Sequence, residues 1–245
     1  MATVNNILIT GSNGGIGFAT AELFAKKGKN LILLYHEKNN KIEELQNKYS
    51  KIEIFKTDLS NLKKLDITLD DVLKDYHVDA FVHSPAYSTE HNDIMKLSWE
   101  EFQKQIDLHV KSFFNISRHV LPEMKTNSFG KIVSVLTSYV IGKPPNLLSD
   151  YIVAKYALLG MTKSMSVELG RFGINVNSIS PSMVNTPLTE HLPNKLKEIT
   201  KSQTPLENRL AEPIDVARVI EFLCSENASY ITGENIIVSG GSTIH

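Results

Sequence analysis

A tyrosine and a lysine, Tyr151 and Lys155, stand four residues apart, and Ser138 lies thirteen residues before the tyrosine. In a helix, positions i and i+4 share one face, so the phenol and the ammonium would point into the same space. A cation about 4 Å from the phenol, at an effective dielectric near 20, contributes roughly 4 kcal/mol, about three pKa units downward. Such a phenol could act as a general acid near neutral pH.

Two interpretations of this trio are open. A Tyr and a Lys at this spacing are common by chance as an ordinary pair on a helix surface. Ser138 favours the catalytic interpretation, because it lies just after an apolar, strand-like run and its hydroxyl could hold a carbonyl oxygen beside Tyr151. The trio then predicts a site for proton transfer to a carbonyl group.

The composition limits the class of protein. The chain has 245 residues, 42% of them apolar, which suits one large core, and we expect a single domain over residues 1–245. Its 26 basic and 27 acidic residues leave a net charge of -1, which favours neither nucleic acid nor an anionic membrane as a partner. The only cysteine, Cys224, rules out an intrachain disulfide and is expected to be a buried, inert thiol.

The N-terminus carries no sign of a targeting segment. Residues 1–10 lack the basic start of a signal peptide, and no apolar run approaches the roughly 18 residues of a membrane helix. We therefore expect a soluble, cytoplasmic protein, and we predict no metal site.

Strand-like and helix-like segments alternate along the chain. Ser98 and Glu101 form a capping box before one helix, and Pro213 stands in the first turn of another. Strict alternation predicts an α/β fold with a parallel, doubly wound sheet, in which ligands bind beyond the carboxyl ends of the strands. The predicted strands are Ile7 to Thr10, Asn30 to Tyr35, Ile52 to Lys56, Ala80 to His83, Lys131 to Leu136, Ile174 to Ile179 and Asn235 to Val238.

A glycine-rich segment follows the first predicted strand, from Thr10 through Gly11, Gly14, Gly15 and Gly17, and a helical pattern follows it. Glycines let the backbone approach a pyrophosphate at a helix N-terminus, where free N–H groups and the helix dipole favour anions. The alternative is a bare strand-to-helix turn. The four glycines and their context favour a dinucleotide site.

In combination, the motif T-G-x-x-x-G-I-G at residues 10–17, Ser138, Tyr151 and Lys155 resemble the short-chain dehydrogenase/reductase family. The branch they resemble contains the 3-oxoacyl-carrier-protein reductases, and the resemblance covers nearly the whole chain. It implies a Rossmann-type sheet of about seven parallel strands with helices on both faces, NAD or NADP as cofactor, and a homo-oligomer, either a dimer or a tetramer. The segments that extend it are Asp58-Leu59-Ser60, Asn177 to Pro181, Tyr230 to Gly233 and Gly240-Gly241.

The resemblance also implies which residues border the cofactor. Thr186 matches a family threonine that touches the nicotinamide carboxamide, and Ser182 replaces the usual glycine after Pro181. The expected set is Gly11, Ser12, Asn13, Gly15, Ile16, Gly17, Tyr35, His36, Asp58, Leu59, His83, Ser84, Pro85, Tyr151, Lys155, Pro181, Ser182, Val184 and Thr186.

Two departures from the family pattern affect the catalytic residues. The loop usually written N-N-A-G is His83-Ser84-Pro85-Ala86 here, which predicts either a shifted loop or a neutral replacement. His109 stands where the family has a catalytic Asn, whose helix carbonyl holds a water beside the active Lys; an alignment shifted by two puts Asp107 there. His109 either orders that water or is a structural histidine.

Thr137 adjoins Ser138, and we prefer Ser138 because a spacing of thirteen is commoner in the family.

The end of the second predicted strand bears on the choice of cofactor. An acidic residue there would accept hydrogen bonds from a ribose 2′-hydroxyl and repel a 2′-phosphate. That place is Tyr35, which is uncharged, and His36 and Lys38 could face a phosphate, with Glu37 between them. We therefore predict NADP, with NAD the less favoured cofactor.

The resemblance implies an oxidoreductase that reduces a ketone, for which a 3-oxoacyl thioester on a carrier protein is one candidate, with catalytic residues Ser138, Tyr151, Lys155 and His109. The alternatives are a cofactor-binding or regulatory subunit with reduced activity, and a dehydratase or isomerase of the same fold. The variable substrate lid is expected at about residues 183–209. A candidate landing patch for an acidic carrier protein is Lys125, Lys131 and Arg171, the alternative being a solvated basic face.

Overall fold

The computed structural model describes residues 3–37, 40–86 and 92–244 and contains one sheet of seven parallel strands. The order in the sheet is β3-β2-β1-β4-β5-β6-β7, so the winding reverses between β1 and β4. This confirms the predicted α/β, Rossmann-type, doubly wound sheet, and its ligand crevice lies beyond the carboxyl ends at that reversal. The strands are β1 (Asn6–Thr10), β2 (Asn30–Tyr35), β3 (Ile52–Lys56), β4 (Ala80–His83), β5 (Gly130–Val135), β6 (Ile174–Pro181) and β7 (Asn235–Val238).

Helices connect the strands and cover the two faces of the sheet. A π-helical turn, Asp107–Lys111, joins the fourth helix to the fifth, and a 3-10 turn, Ser138–Val140, follows β5. The α-helices are α1 (Gly15–Lys26), α2 (Asn40–Lys48), α3 (Leu62–Asp75), α4 (Trp99–Ile106), α5 (Ser112–Thr126), α6 (Ser149–Leu169), α7 (Pro187–Glu190), α8 (Asn194–Ser202) and α9 (Pro213–Leu223).

The alternation of side chains along β1 divides the core into two layers. Ile7 and Ile9 point to one face and pack in the cluster that includes Phe24 of α1 and Ile220 of α9. Leu8 points to the other face, into the cluster with residues of α3, α5 and α6. Each of these fully buried side chains contributes roughly 1.5–3 kcal/mol, so both faces hold the central strands in place under the crevice.

The predicted helix starts are confirmed. Ser98 and Glu101 exchange the two hydrogen bonds of a capping box at the start of α4, and Pro213 is the first residue of α9. β6 extends two residues beyond the prediction, to Pro181, because its end pairs with Val238 of β7. Within the described ranges, no helix is long and apolar enough to cross a membrane.

Candidate active site

Tyr151 and Lys155 lie one turn apart on α6, at the carboxyl edge of the sheet. Their i, i+4 spacing puts both on the side of the helix that faces β5, and the Lys155 Nζ lies 5.5 Å from the centre of the Tyr151 ring. Lys155 is buried, whereas Tyr151 is partly exposed. The pair thus has a buried cation site behind a phenol that borders the crevice.

Lys155 is held by two contacts inside the protein. Its Nζ donates a hydrogen bond to the Val135 carbonyl at 2.9 Å and lies 3.2 Å from Nδ1 of His109. Burial lowers the pKa of Lys155 from 10.5 to about 7, since the charged form loses its hydration. Both the ammonium and the amine are therefore accessible at neutral pH.

The expectation of a lowered phenol pKa is wrong for the protein as described. Burial raises the pKa of Tyr151 to about 12, and hydrogen bonding with the Thr137 side chain opposes this rise only in part. The expectation assumed a permanently charged lysine at a dielectric near that of the surface, but Lys155 is itself buried and half-neutral near pH 7. Tyr151 is protonated at neutral pH and is a proton donor by its protonation state.

Of the two candidate hydroxyls, that of Thr137 interacts with the Tyr151 phenol, and Ser138 is the next residue along the chain. Thr137 is buried, and its side chain interacts with the phenol and accepts from the Tyr139 N–H at 3.4 Å. Ser138 begins the 3-10 turn and is 4% exposed. Within the described part of the chain its hydroxyl has no hydrogen bond, so it retains its donor for a ligand. The prediction that Ser138 holds the substrate oxygen stays a prediction.

His109 occupies the position beside Lys155, and Asp107 does not. The π-turn brings the buried His109 ring edge-on to Tyr151, with ring centres 5.9 Å apart. The Asp107 carboxylate accepts from Gln103 at 2.9 Å and pairs with Lys111 on the outer side. Burial, then the charges on Lys155 and His83, hold the pKa of His109 well below 6.5, so its imidazole is neutral at pH 7.

His83, at the end of β4, is bonded inside the protein. Its Nδ1 lies 3.0 Å from the Thr10 hydroxyl, and its Nε2 lies 3.2 Å from the His109 carbonyl oxygen. The side chain is fully buried, which lowers its pKa to about 3. Sequence reasoning assigned His83 to the cofactor border and missed Thr10 as its partner; the signal available was that both residues end adjacent strands of the sheet.

The glycine loop forms a cradle that side chains would fill. A Cβ at Gly11 would strike the Ser84 carbonyl, and one at Gly17 would strike the Gly11 carbonyl. Helix α1 begins at Gly15 after Gly14, which supplies no side-chain cap, so N–H groups of its first turn point into the crevice. These features fit the pyrophosphate of a dinucleotide. Ser12 faces the other way, and its hydroxyl donates to the Leu34 carbonyl.

The far ends of the predicted cofactor site lie at β2 and after β6. Tyr35 ends β2 and is half-buried; Lys38 lies outside the described residues. Partial burial raises the pKa of Asp58. The two hydrogen bonds that its carboxylate accepts from Ser60, together with the nearby His36, outweigh burial and lower the pKa. Past β6, the Thr186 side chain lies where a Cβ of Gly15 would be, so the segment after β6 packs directly against the glycine loop. Val184 is buried beside them.

The predicted lid segment contains two helices, α7 and α8, each of which follows a proline signal in the sequence. Leu188, Leu196 and Leu206 are exposed on it and give the segment an apolar surface. The segment is joined to the body where Val184 bridges to Ala211.

The prediction of a landing patch for a carrier protein beside the site is wrong. Lys131 is 3% exposed and donates to Asn175 at 2.7 Å, while Lys125 and Arg171 lie over the Phe172 ring. Lys131 is near the start of β5, Lys125 is near the end of α5, and Arg171 is in the 3-10 turn before β6. All three therefore lie at the edge of the sheet where β5 and β6 start, opposite the edge that carries Tyr151. This group does not border the site.

The prediction for Cys224 is confirmed: it is buried, and burial raises its pKa to about 12.

Within residues 3–37, 40–86 and 92–244, no group of three or more His, Cys, Asp or Glu side chains could hold a metal ion.

Comparisons with known proteins agree with this geometry. The sequence profile of a family described as enoyl-(acyl carrier protein) reductase matches residues 11–243. A 3-oxoacyl-(acyl-carrier-protein) reductase from Thermotoga maritima is 32% identical over 242 residues, with 97% of each chain covered. Human dehydrogenase/reductase SDR family member 4 is 32% identical over 96% of this chain and 86% of its own. The crystal structure of a 3-oxoacyl-(acyl-carrier protein) reductase with bound NAD from Brucella melitensis has a TM-score of 0.90 and 26% identity, covering 99% of this chain and 92% of its own.

Proposed function

The chain belongs to the short-chain dehydrogenase/reductase family and is an NAD(P)-dependent oxidoreductase, and on that premise we propose that it reduces a ketone to an alcohol with NADPH. The observation that carries the proposal is the meeting of Tyr151, Lys155 and the Thr137 hydroxyl at the edge of the sheet that also carries the glycine cradle. A protonated phenol, a buried lysine and an anion-binding helix start are the parts that such a reaction needs.

Each of these residues has a distinct role. The bound cofactor supplies the hydride, and Tyr151 gives its phenol proton to the carbonyl oxygen that gains negative charge. An alkoxide is a stronger base than a phenolate, so a phenol with a pKa of about 12 still transfers its proton downhill. Ser138, with Thr137 behind the phenol, donates a hydrogen bond to the same oxygen.

Lys155 and His109 restore the proton that Tyr151 gives away. The Lys155 ammonium supplies the proton that restores the Tyr151 phenolate to a phenol, and Lys155 becomes an amine. Its pKa near 7 permits this change. The proton that Lys155 then lacks comes from water by way of the His109 ring, whose Nδ1 faces it. The family places a water at the carbonyl of this residue, but in this chain the His109 carbonyl is bonded to His83.

The cofactor site supports NADP over NAD. Tyr35 places no carboxylate at the end of β2, and His36 is exposed there, so nothing at these two residues repels a 2′-phosphate. The NAD bound by the Brucella melitensis relative shows that a dinucleotide suits this fold and leaves the choice to the residues of this chain. Residues that would hold it are the glycine loop, Asp58, Lys155 and Thr186.

The substrate that we propose is a moderately apolar ketone, with a 3-oxoacyl thioester as the leading example. The lid helices α7 and α8 carry exposed leucines and follow Thr186, which lies against the glycine loop, and the Thermotoga maritima relative is a 3-oxoacyl-(acyl-carrier-protein) reductase. A carrier protein would have to bind near the lid, since Lys125, Lys131 and Arg171 lie at the opposite edge.

We also propose a homo-oligomer, a dimer or a tetramer, located in the cytoplasm. Phe114 on α5 and Val153, Tyr156 and Val167 on α6 are exposed apolar side chains on neighbouring helices, and a second copy would cover them. The lone buried Cys224 suits a reducing compartment.

Two other functions make different predictions. A binding or regulatory subunit would bind NADPH without turnover, and a dehydratase or isomerase would change a substrate without oxidising NADPH. Absorbance of NADPH should be followed with a panel of ketones and 3-oxoacyl thioesters, using Tyr151→Phe as the control. Tyr151-dependent oxidation of NADPH supports the reductase; tight NADPH binding without oxidation on any substrate would replace it by the binding function.

A further inference from the structure

The imidazole of His83 links β1 to the π-turn that carries His109. Thr10 ends β1, His83 ends β4, and these two residues are partners in the register of the sheet. The His83 ring spans from the Thr10 hydroxyl, 3.0 Å from Nδ1, to the His109 carbonyl, 3.2 Å from Nε2. The two places where the sequence departs most from the family pattern are therefore in direct contact.

The partners of His83 determine which nitrogen carries the proton. A carbonyl oxygen can only accept, so Nε2 must be the N–H that donates to His109. Nδ1 is then an acceptor, and the Thr10 hydroxyl donates to it while accepting from the Ser84 N–H at 3.3 Å. The three donors in this chain of bonds therefore point the same way. The Ser84 N–H donates to Thr10, the Thr10 hydroxyl donates to His83, and His83 donates to the carbonyl of His109 in the π-turn.

The surroundings keep His83 in this state. Its ring packs against Phe81 and Phe113, with ring centres 5.7 and 5.3 Å away, and it has no exposed surface. Its pKa of about 3 keeps it neutral across the range in which the enzyme would work. The groups of variable charge that face His109 are His83 from β4 and Tyr151 and Lys155 from α6.

We propose that His83 is a positioning residue, which holds the His109 carbonyl so that the His109 ring, and not a carbonyl-bound water, faces the amine of Lys155. The inference rests on the proposed function, because it names what sets the proton route of that site. A π-turn departs from the regular hydrogen-bond ladder of a helix, so an outside donor is what fixes its orientation. His83 supplies that donor, and His109 is thereby held at both its carbonyl and its ring.

Two carboxamide variants separate this role from simple packing. The Nε2 of a glutamine lies close to the place of the histidine Nε2, so His83→Gln keeps a donor for the His109 carbonyl. Asparagine places its amide near the histidine Nδ1 and is too short to reach that carbonyl, so His83→Asn loses the bond. His119→Asn is the matched control, because among the described residues the polar contacts of His119 are the Asn115 carbonyl and the carboxylates of Asp66 and Asp70, away from His109 and Lys155.

The first measurement uses the protein without cofactor or substrate. Nitrogen-15 spectra of the imidazoles report the tautomers, and the carbon next to Nζ reports the titration of Lys155. We expect His83 to be the Nε2–H tautomer throughout pH 5–9. We expect His83→Asn to raise the pKa of Lys155 by at least about half a unit, because a loosened turn admits water, while His83→Gln and His119→Asn leave it unchanged.

The second measurement is the pH–rate profile with NADPH and whichever ketone the parent reduces. His83→Asn should lose at least about fivefold in turnover with its profile shifted on the Lys155 limb, while His83→Gln stays within about twofold. The proposal is overturned if His83 is the Nδ1–H tautomer, or if the two carboxamide variants give the same Lys155 pKa. Since the spectra need no reaction, failure of the proposed reductase activity would leave this outcome readable.

Discussion

Nζ of Lys155 lies 3.2 Å from Nδ1 of His109, and both groups are buried. Each is a base, and a proton on one disfavours a second proton on the other at this distance in a medium of low dielectric. Burial is the larger cause of the lowered pKa of His109, and Lys155 adds to it. The pair therefore carries at most one positive charge near neutral pH, which suits a site that passes a proton in each turnover.

Substitution of His109 tests the proton route. We expect His109→Asn to retain most activity, because its amide can still order a water beside Lys155. We expect His109→Leu to lose at least about tenfold in turnover, or roughly 1.4 kcal/mol of barrier. The measurement is the pH–rate profile of the three proteins with NADPH. A His109→Leu profile that matches the parent from pH 6 to 9 would leave the residue as packing only.

The buried lysine predicts how stability depends on pH. The pKa of Lys155 is 10.5 in an ordinary setting and about 7 in the folded protein, so between these values the unfolded chain binds more protons. Stability from this group is complete above about pH 10.5 and is lost as pH falls towards 7. Relative to Lys155→Met, the free energy of unfolding should rise by roughly 1 kcal/mol per pH unit from pH 7 to 9. Denaturant titrations of both proteins measure it, and a constant difference contradicts the buried-cation argument.

Removal of the phenol hydroxyl tests the general acid. Tyr151→Phe deletes the proton donor and leaves the ring, so we expect intact folding and NADPH binding with turnover lower by about a hundredfold or more. Thermal melting and NADPH fluorescence provide the controls. Activity within a factor of a few of the parent, on any substrate that the parent reduces, would remove Tyr151 from this role.

An acidic residue at the end of β2 tests the choice of cofactor. The parent should bind NADPH more tightly than NADH, and Tyr35→Asp should weaken NADPH binding by about tenfold or more, since the new carboxylate would repel the 2′-phosphate. Fluorescence titration with both reduced cofactors gives the ratio for each protein. Equal affinities in the parent, or tighter NADH, would refute the preference.

The glycine cradle predicts a steric effect on cofactor binding. In Gly17→Ala the added methyl meets the Gly11 carbonyl, so the loop must shift and NADPH affinity should fall by at least about tenfold. Gly170→Ala is the matched control, because a Cβ there meets nothing within 4 Å. Both proteins should be compared by calorimetric titration. The cradle argument does not survive if the two variants bind alike.

The sequence determined the architecture because local patterns and one long-range rule were enough. Alternating strands and helices require right-handed crossovers, which produce a parallel sheet, and the predicted strands agree with the observed ones to within two residues at either end. It also determined which residues meet on α6, since a helix fixes the direction of Tyr151 and Lys155 from their spacing alone.

The tertiary structure decided what depends on burial and on contacts between distant segments. Spacing could not show that Lys155 lies in a closed site with a pKa near 7, and so could not give the direction of the Tyr151 shift. Spacing could not choose His109 over Asp107 either, because that choice depends on the π-turn. The bond between His83 and His109, which are 26 positions apart, was also beyond what spacing could predict. A charge in a protein responds to everything packed around it, and packing is set only when the whole sheet and its helices come together.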